Sequence, residues 1–291
     1  MSRAAIVLLA LLAALAVSYI WRWIVLERPR HATLARPGLA QTLTGFVTNF
    51  FDTLGVGSFA PTTSVFKLLK LVPDERIPGT LNAGHALPTV VQALIFIAIV
   101  SVDPLTLIAM IAAAVSGAWL GSGVVARLPR RAIQISMGVA LLIAATLFTL
   151  GILEAIPAGG DALSLRGPWL ALAILANFAL GALMTLGVGL YAPCLILVSL
   201  LGMDPKAAFP IMMGSCAFLM PVAGLRFIAA GSYDLRAALG LALGGIPAVL
   251  IAALIVKQLP LLWLQRLVVV VVLYTAVAML RAAYRERRTA T

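Results

Sequence analysis

Asp52 is the only carboxylate set well inside an apolar stretch of this chain. An ionisable group in such a place is costly to bury and tends to be functional. It can accept a proton or bind a cation; its plainer use is as an acceptor for nearby backbone N–H groups. Asn49, Thr53, Ser58 and Thr62 stand close to it in a segment that reads NFFDTLGVGSFAPTTS. The next polar set lies in IPGTLNAGHALP, which holds Thr80, Asn82 and His85. His85 can carry a proton near neutral pH or hydrogen-bond an oxyanion, unless it is only a satisfied structural group. A later stretch, FPIMMGSCAFLMP, supplies Gly214, Ser215 and Cys216, and Arg226 follows as the only basic residue well inside an apolar run. Arg226 can meet an anion or extend its guanidinium to the membrane surface. These residue types suit proton or ion coupling, at Asp52 and His85, and the holding of a small anion. No Cys/His cluster offers a metal site, and no Walker loop, GxSxG or HExxH points to an enzyme.

Two copies of one phrase must position these groups: LGVGSFAP at 54–61 and LGVGLYAP at 186–193. Paired glycines loosen a helix and the proline interrupts its hydrogen-bond ladder, so neither copy sits inside a regular spanning helix. Gly55, Gly57, Gly187 and Gly189 therefore mark turning points. The helix starting after each turn presents unpaired N–H groups and the positive end of its dipole, which suits an anion. Tight helix packing is the other use of such glycines. Phe59 at the first copy, and Thr185, Tyr191 and Cys194 at the second, join the candidate site. Met184 stands where the first copy has Asp52, so the two turns are not chemically equivalent.

Of the 291 residues 63% are hydrophobic and 11% charged, and the mean hydropathy is +1.10. That is membrane-protein composition, because a bilayer core of roughly 30 Å takes about 20 apolar residues to cross. A net charge of +11 would suggest nucleic acid in a soluble protein. Here the basic residues lie mostly between and after apolar runs, so the expected partner is the lipid bilayer and not nucleic acid. The two cysteines, Cys194 and Cys216, fall in apolar stretches and support no disulfide framework. No cofactor is expected. The first run, Ala4 to Leu26, exceeds a signal-peptide core and ends in Trp21, Arg22, Trp23 and Arg28, which reads as a retained spanning helix.

Further apolar runs lie near 39–71, 79–101, 104–127, 131–156, 168–201, 207–230, 234–257 and 262–283. The two that hold the repeated phrase are too long for one span; splitting 39–71 there gives half-helices of about 14 residues, roughly 20 Å each. Short cytoplasmic loops collect Lys and Arg. The basic groups at 28–36, 127–131 and 281–288 share one side if both broken segments turn back as re-entrant hairpins. Only five of the 21 Lys and Arg residues then lie elsewhere: Arg3, Arg166, Lys206, Lys257 and Arg266. The expectation is an all-α polytopic membrane protein of seven spans and two hairpins, with the N-terminus outside and the C-terminus in the cytoplasm. The register of the phrase extends further, pairing Ile77-Pro78 with Phe209-Pro210, Pro88 with Pro221, Asp103 with Asp234, Leu128-Pro129 with Leu259-Pro260 and Gln134 with Gln265. The chain divides into an N-terminal helix and linker (1–37), a first repeat (38–157), a second repeat (158–284) and a basic tail (285–291). Each repeat is one hairpin plus three spans, and the odd number of crossings inverts the second copy. Inverted repeats with broken helices meeting near the midplane are the architecture of secondary transporters.

Two tips of the form LGVGxxAP, each followed by a span opening on a small polar cluster, resemble the sulfite exporter TauE/SafE family of membrane permeases. The resemblance covers roughly residues 40–283. It implies movement of small sulfur-containing anions, such as sulfite, sulfoacetate and other organosulfonates, across the bacterial inner membrane. Ser58-Phe59 and Leu190-Tyr191 stand where members carry further glycines, and their aromatic surface would suit an organic sulfonate better than bare sulfite. Two other readings stay open: an integral membrane enzyme using Asp52 and His85 as acid and base on a lipid-linked or sulfur substrate, and a passive anion channel. The substrate, direction, coupling ion and oligomeric state are not read from the residues.

Overall fold

The computed structural model describes residues 3–28, 36–125, 127–153, 155, 160–187 and 189–255, with 273, 276, 277, 280, 281 and 284. Every regular element among them is helical. In order these are α1 (Arg3–Glu27), α2 (Leu39–Thr53), α3 (Phe59–Leu68), α4 (Ile77–Gly84), α5 (Ala86–Ile99), α6 (Pro104–Val125), α7 (Arg130–Ile152), α8 (Gly167–Met184), α9 (Tyr191–Leu200), α10 (Ala208–Ala230) and α11 (Leu235–Ile255). Among the described residues six helices are long and apolar enough to cross a membrane: α1, the stretch Asp74–Ile99 holding α4 and α5, α6, α8, α10 and α11. α7 (Arg130–Ile152) covers residues 131–152 of the expected run at 131–156. Most of the expected last span (262–283), the basic tail and most of the basic 28–36 loop lie outside the described residues.

Both copies of the repeated phrase break the helix they interrupt. After α2, the N–H groups of Leu54 and Gly55 fold back onto Phe51 and Asp52 O at 3.1 and 2.9 Å; after α8, those of Leu186 and Gly187 fold back onto Leu183 and Met184 O at 2.9 and 3.0 Å. Gly55 and Gly187 then take φ of +90° and +92°, a conformation that a Cβ disfavours. The pieces are unequal, 15 and 10 residues around the first break and 18 and 10 around the second, where sequence suggested two halves of about 14 in the first segment. The later pieces are short because residues in left-handed conformation follow them, Lys70 at φ +53° and Gly202 at φ +81°. Ten residues rise only about 15 Å, half a bilayer core.

Helix packing is reciprocal between the halves. α2 lies against α11, and α8 lies against α6. Lipid tails are as apolar as leucine, so spanning helices associate through close contact at small residues. A methyl added to Gly244 of α11 would fall 2.0 Å from Thr42 O of α2, and one on Gly117 of α6 would fall 2.0 Å from Phe178 O of α8. α10 is the most enclosed span and α1 the least. α1 is nonetheless fastened: Tyr19 donates to Ala83 O at 2.9 Å and Trp23 Nε1 to Tyr233 Oη at 3.0 Å.

Contacts at the helix ends sort the loops into two groups. At the start of α11, Arg236 Nε donates to Arg36 O, just before α2, and Asp234 N donates to Thr80 Oγ1, beyond α3. At the start of α6, Asp103 pairs with Arg166, just before α8, at 3.0 Å. The chain on either side of α8 and α9 also meets: Gly160 N and Asp204 N donate to Met203 O and Ala162 O at 3.1 and 2.9 Å. α4 and α5 together run from the first group of loops to the second.

Candidate functional site

The two phrases touch. A Cβ on Gly57 would lie 3.8 Å from Cβ of Tyr191, and a Cβ on Gly189 would lie 3.8 Å from Cβ of Phe59. The contacts are the same pair of positions exchanged, which is what a two-fold relation between the tips produces.

Around this meeting point the first half supplies nearly all the polarity. Asp52 is 2% exposed and accepts from Gln92 Nε2 at 2.8 Å; Ser58 adds backbone and side-chain hydrogen bonds from the turn itself. Gln92 also donates to Thr53 Oγ1 at 3.1 Å. The amide oxygen of Gln92 accepts from the Tyr191 hydroxyl at 2.5 Å. That bond crosses from the second tip, so one chain of hydrogen bonds joins Asp52 of one half to Tyr191 of the other.

His85 anchors a second network. α4 stops at Gly84 and α5 restarts at Ala86, because Pro88 has no N–H to continue the ladder. The imidazole hangs at that break, 5.8 Å from the Phe59 ring. Its Nδ1 is 3.0 Å from Asn49 Oδ1. Asn49 is oriented by donating its Nδ2 to Gly45 O at 2.7 Å, so its oxygen faces the ring and Nδ1 carries a hydrogen. Nε2 is 3.0 Å from Thr62 Oγ1, which is 3.0 Å from Thr48 Oγ1. A neutral ring accepts the Thr62 hydrogen; a charged ring donates, and Thr62 passes its own hydrogen to Thr48. The network serves both protonation states by turning one hydroxyl.

The second half contributes sulfur more than oxygen. Met184, in Asp52's place, lies with its Sδ 3.5 Å from Cys216 Sγ. Cys194 and Cys216 both lie near enough to Tyr191 to interact with it electrostatically. Asn82 reaches across, its Nδ2 donating to Pro78 O at 2.9 Å and standing 3.5 Å from Met184 O. Its Oδ1 is buried without a hydrogen-bond partner, as are Thr63 Oγ1 and Asn177 Oδ1.

Other candidates sit elsewhere. Thr80 donates to Arg76 O and accepts from Asp234 N, holding the loop beside α11. Gly214 packs against Ile111 and Ile97, and Ser215 accepts from Asn177 Nδ2 at 3.0 Å. Thr185 Oγ1 donates to Ala182 O at 2.7 Å, within its own turn. Arg226 donates to Trp119 O and stacks its guanidinium 4.9 Å from the Trp119 ring. It thus covers α6 and bonds none of the tip residues. Among the described residues no lysine or arginine hydrogen-bonds to the tip groups.

Gln92 was not singled out from sequence, and it is the central connector. Its signal is spacing: His85, Thr89 and Gln92 recur at i, i+4 and i+7, one face of a helix. Asn177 was missed likewise; it donates to Met110 O at 2.7 Å and ties α8 to α6.

Away from the spans, Asp103 caps α6. Thr106 donates its N–H and its hydroxyl to Asp103 Oδ2 at 3.0 and 3.1 Å. The Thr106 N–H, with Arg166 and the Thr106 hydroxyl as lesser causes, holds the Asp103 carboxyl below its ordinary value.

A family model described as "Sulfite exporter TauE/SafE" matches residues 2–148. The match takes in α1, which the resemblance read from the tips had left out, and it ends within α7, before the second copy of the phrase. No curated protein and no solved structure matched the chain.

Proposed function

The chain belongs to the sulfite exporter TauE/SafE family of membrane transporters, and from that membership we propose that it is a secondary transporter exporting one small sulfur oxyanion or organosulfonate across the bacterial inner membrane. It is a multi-pass membrane protein whose helices lie in lipid. The binding site lies between the two tips, and alternating access exposes it to one side and then the other. The observation that carries this reading is the exchanged contact of Gly57 with Tyr191 and of Gly189 with Phe59, which puts two helix N-termini at one buried place.

The two broken segments act as re-entrant hairpins of inverted repeats. What supports this is the sorting of loop contacts: residues before α2 and after α3 share the α11 end, while residues flanking α8 and α9 meet each other near the α6 end. With the basic loops in the cytoplasm, the first hairpin enters from the cytoplasm and the second from outside. That places the N-terminus outside and the C-terminus inside.

Among the described residues no lysine or arginine is a hydrogen-bond partner of the tips, and this bears on mechanism. The groups of the described residues that can stabilise an anion there are N–H and O–H donors, next to a carboxylate. A proton or cation therefore enters with the anion, and Asp52 and His85 are the groups placed to carry it. Phe59 and Tyr191 offer aromatic surface for the organic part of a sulfonate.

Proteoliposome flux of labelled sulfite, sulfoacetate and other sulfonates tests the proposal. Saturable flux that competes among sulfur anions and responds to pH is expected. Unsaturable, pH-insensitive flux would indicate a channel, and turnover in detergent without a gradient would indicate an enzyme.

A further inference from the structure

The described chain of bonds runs from Asp52 through Gln92 to Tyr191, and its polarity is set at the carboxylate. An ionised Asp52 can only accept, so Gln92 must turn its NH2 toward it. The amide oxygen then faces α9 and engages the Tyr191 O–H as its donor, at 2.5 Å. In this state the tyrosine has no hydrogen left for a ligand.

A protonated Asp52 reverses the chain. Its O–H donates to the Gln92 oxygen, and the amide turns over and presents NH2 to Tyr191. The phenol oxygen accepts, and its own O–H is released. Tyr191 begins α9, with its Cβ facing Gly57 of the opposite tip, so the released donor lies where the two helix N-termini converge.

We propose that Gln92 is the coupling residue of the site: its amide carries the state of Asp52 across to Tyr191, freeing the tyrosine O–H for the transported oxyanion only while Asp52 holds a proton. The inference rests on the reading that the tips bind the anion. One proton taken up on the carboxylate thus accompanies one anion received, and release of the proton withdraws the donor. Gln92 acts through Tyr191 and is a positioning residue. It is fully buried, which keeps water from substituting for either bond.

Ser58 meets Asp52 from the turn, Thr53 meets Gln92 from α2, Thr89 meets the Tyr191 hydroxyl from α5, and the Cys194 and Cys216 thiols approach from α9 and α10. His85 is engaged separately with Asn49 and Thr62.

The test is flux into proteoliposomes with and without an imposed pH gradient of either sign, expressed as the ratio of the two. Gln92→Met keeps the side chain's length and removes both polar ends. The ratio, well above one for the unmodified protein, is expected to fall to about one in this variant with measurable gradient-free flux. Tyr191→Phe removes only the hydroxyl and is expected to bring the ratio to about one as well; it decides the matter if Gln92→Met does not fold. A ratio unchanged in a folded variant overturns the proposal. So does a folded Gln92→Met protein with no flux under either condition, because Gln92 would then be part of the binding surface. Failure of the tip site itself is read separately, from unimpaired flux in Gly57→Leu and Gly189→Leu.

Discussion

Asp52 shows how a single residue can be legible in sequence while its partners are not. A carboxylate in an apolar run already signals a site, and the structure surrounds it with Gln92 and Ser58. Gln92 lies 40 positions away, and nothing local announces that it meets Asp52 on one side and Tyr191 on the other. Arg226 shows the converse: its isolation in sequence left an anion contact and extension to the membrane surface both open, and in the structure its side chain bonds and stacks on Trp119. Two outcomes are expected at Asp52. Asp52→Asn keeps the shape and an acceptor, so the protein folds and its flux loses pH dependence. Asp52→Leu strips that acceptor from buried donors and lowers stability by about 1–3 kcal/mol, read as a lower Tm in detergent. Equal stability of the two variants would argue against the buried network.

At the scale of elements, the long apolar helices of the described residues and the two breaks were readable because apolar length and the glycine-proline phrase are local signals. The lengths of the pieces were not. They depend on where Lys70 and Gly202 turn left-handed, and the pairing of α2 with α11 and α8 with α6 is set by contacts hundreds of atoms apart in the chain. Those pairings predict that Gly117→Leu and Gly244→Leu are disruptive, since even a Cβ meets a backbone oxygen at 2.0 Å in each case. A loss of at least 1–3 kcal/mol is expected, measured as Tm or as yield of monodisperse protein; full stability in either variant would contradict the close packing. The α6 cap adds a pH effect. Because the folded Asp103 carboxyl is held low by Thr106, its contribution is complete above about pH 4, where an unfolded aspartate is ionised. It is lost as pH falls through the lowered folded value. The Tm gap between the unmodified protein and Asp103→Ala should therefore be present at neutral pH and close in acid; a gap constant with pH would exclude the carboxylate as its source.

The whole molecule was legible in outline from composition and apolar runs: an all-helical, multi-pass membrane protein. What the residues could not give is the exchanged tip contact, because it depends on how the halves dock. That docking predicts opposite entry. With Cys194 and Cys216 buried, a cysteine at the exposed Lys70 should react with an impermeant reagent from the cytoplasmic side only, and one at the exposed Lys206 from outside only; labelling of both from one face would exclude inverted hairpins. The central claim is that both tips form one transport site. It is tested most directly by sulfur-anion flux in proteoliposomes carrying Gly57→Leu or Gly189→Leu, each checked for insertion and monodispersity. Either leucine fills the 3.8 Å approach to the opposite tip, so a loss of tenfold or more is predicted for both. Normal flux in both folded variants would contradict the account.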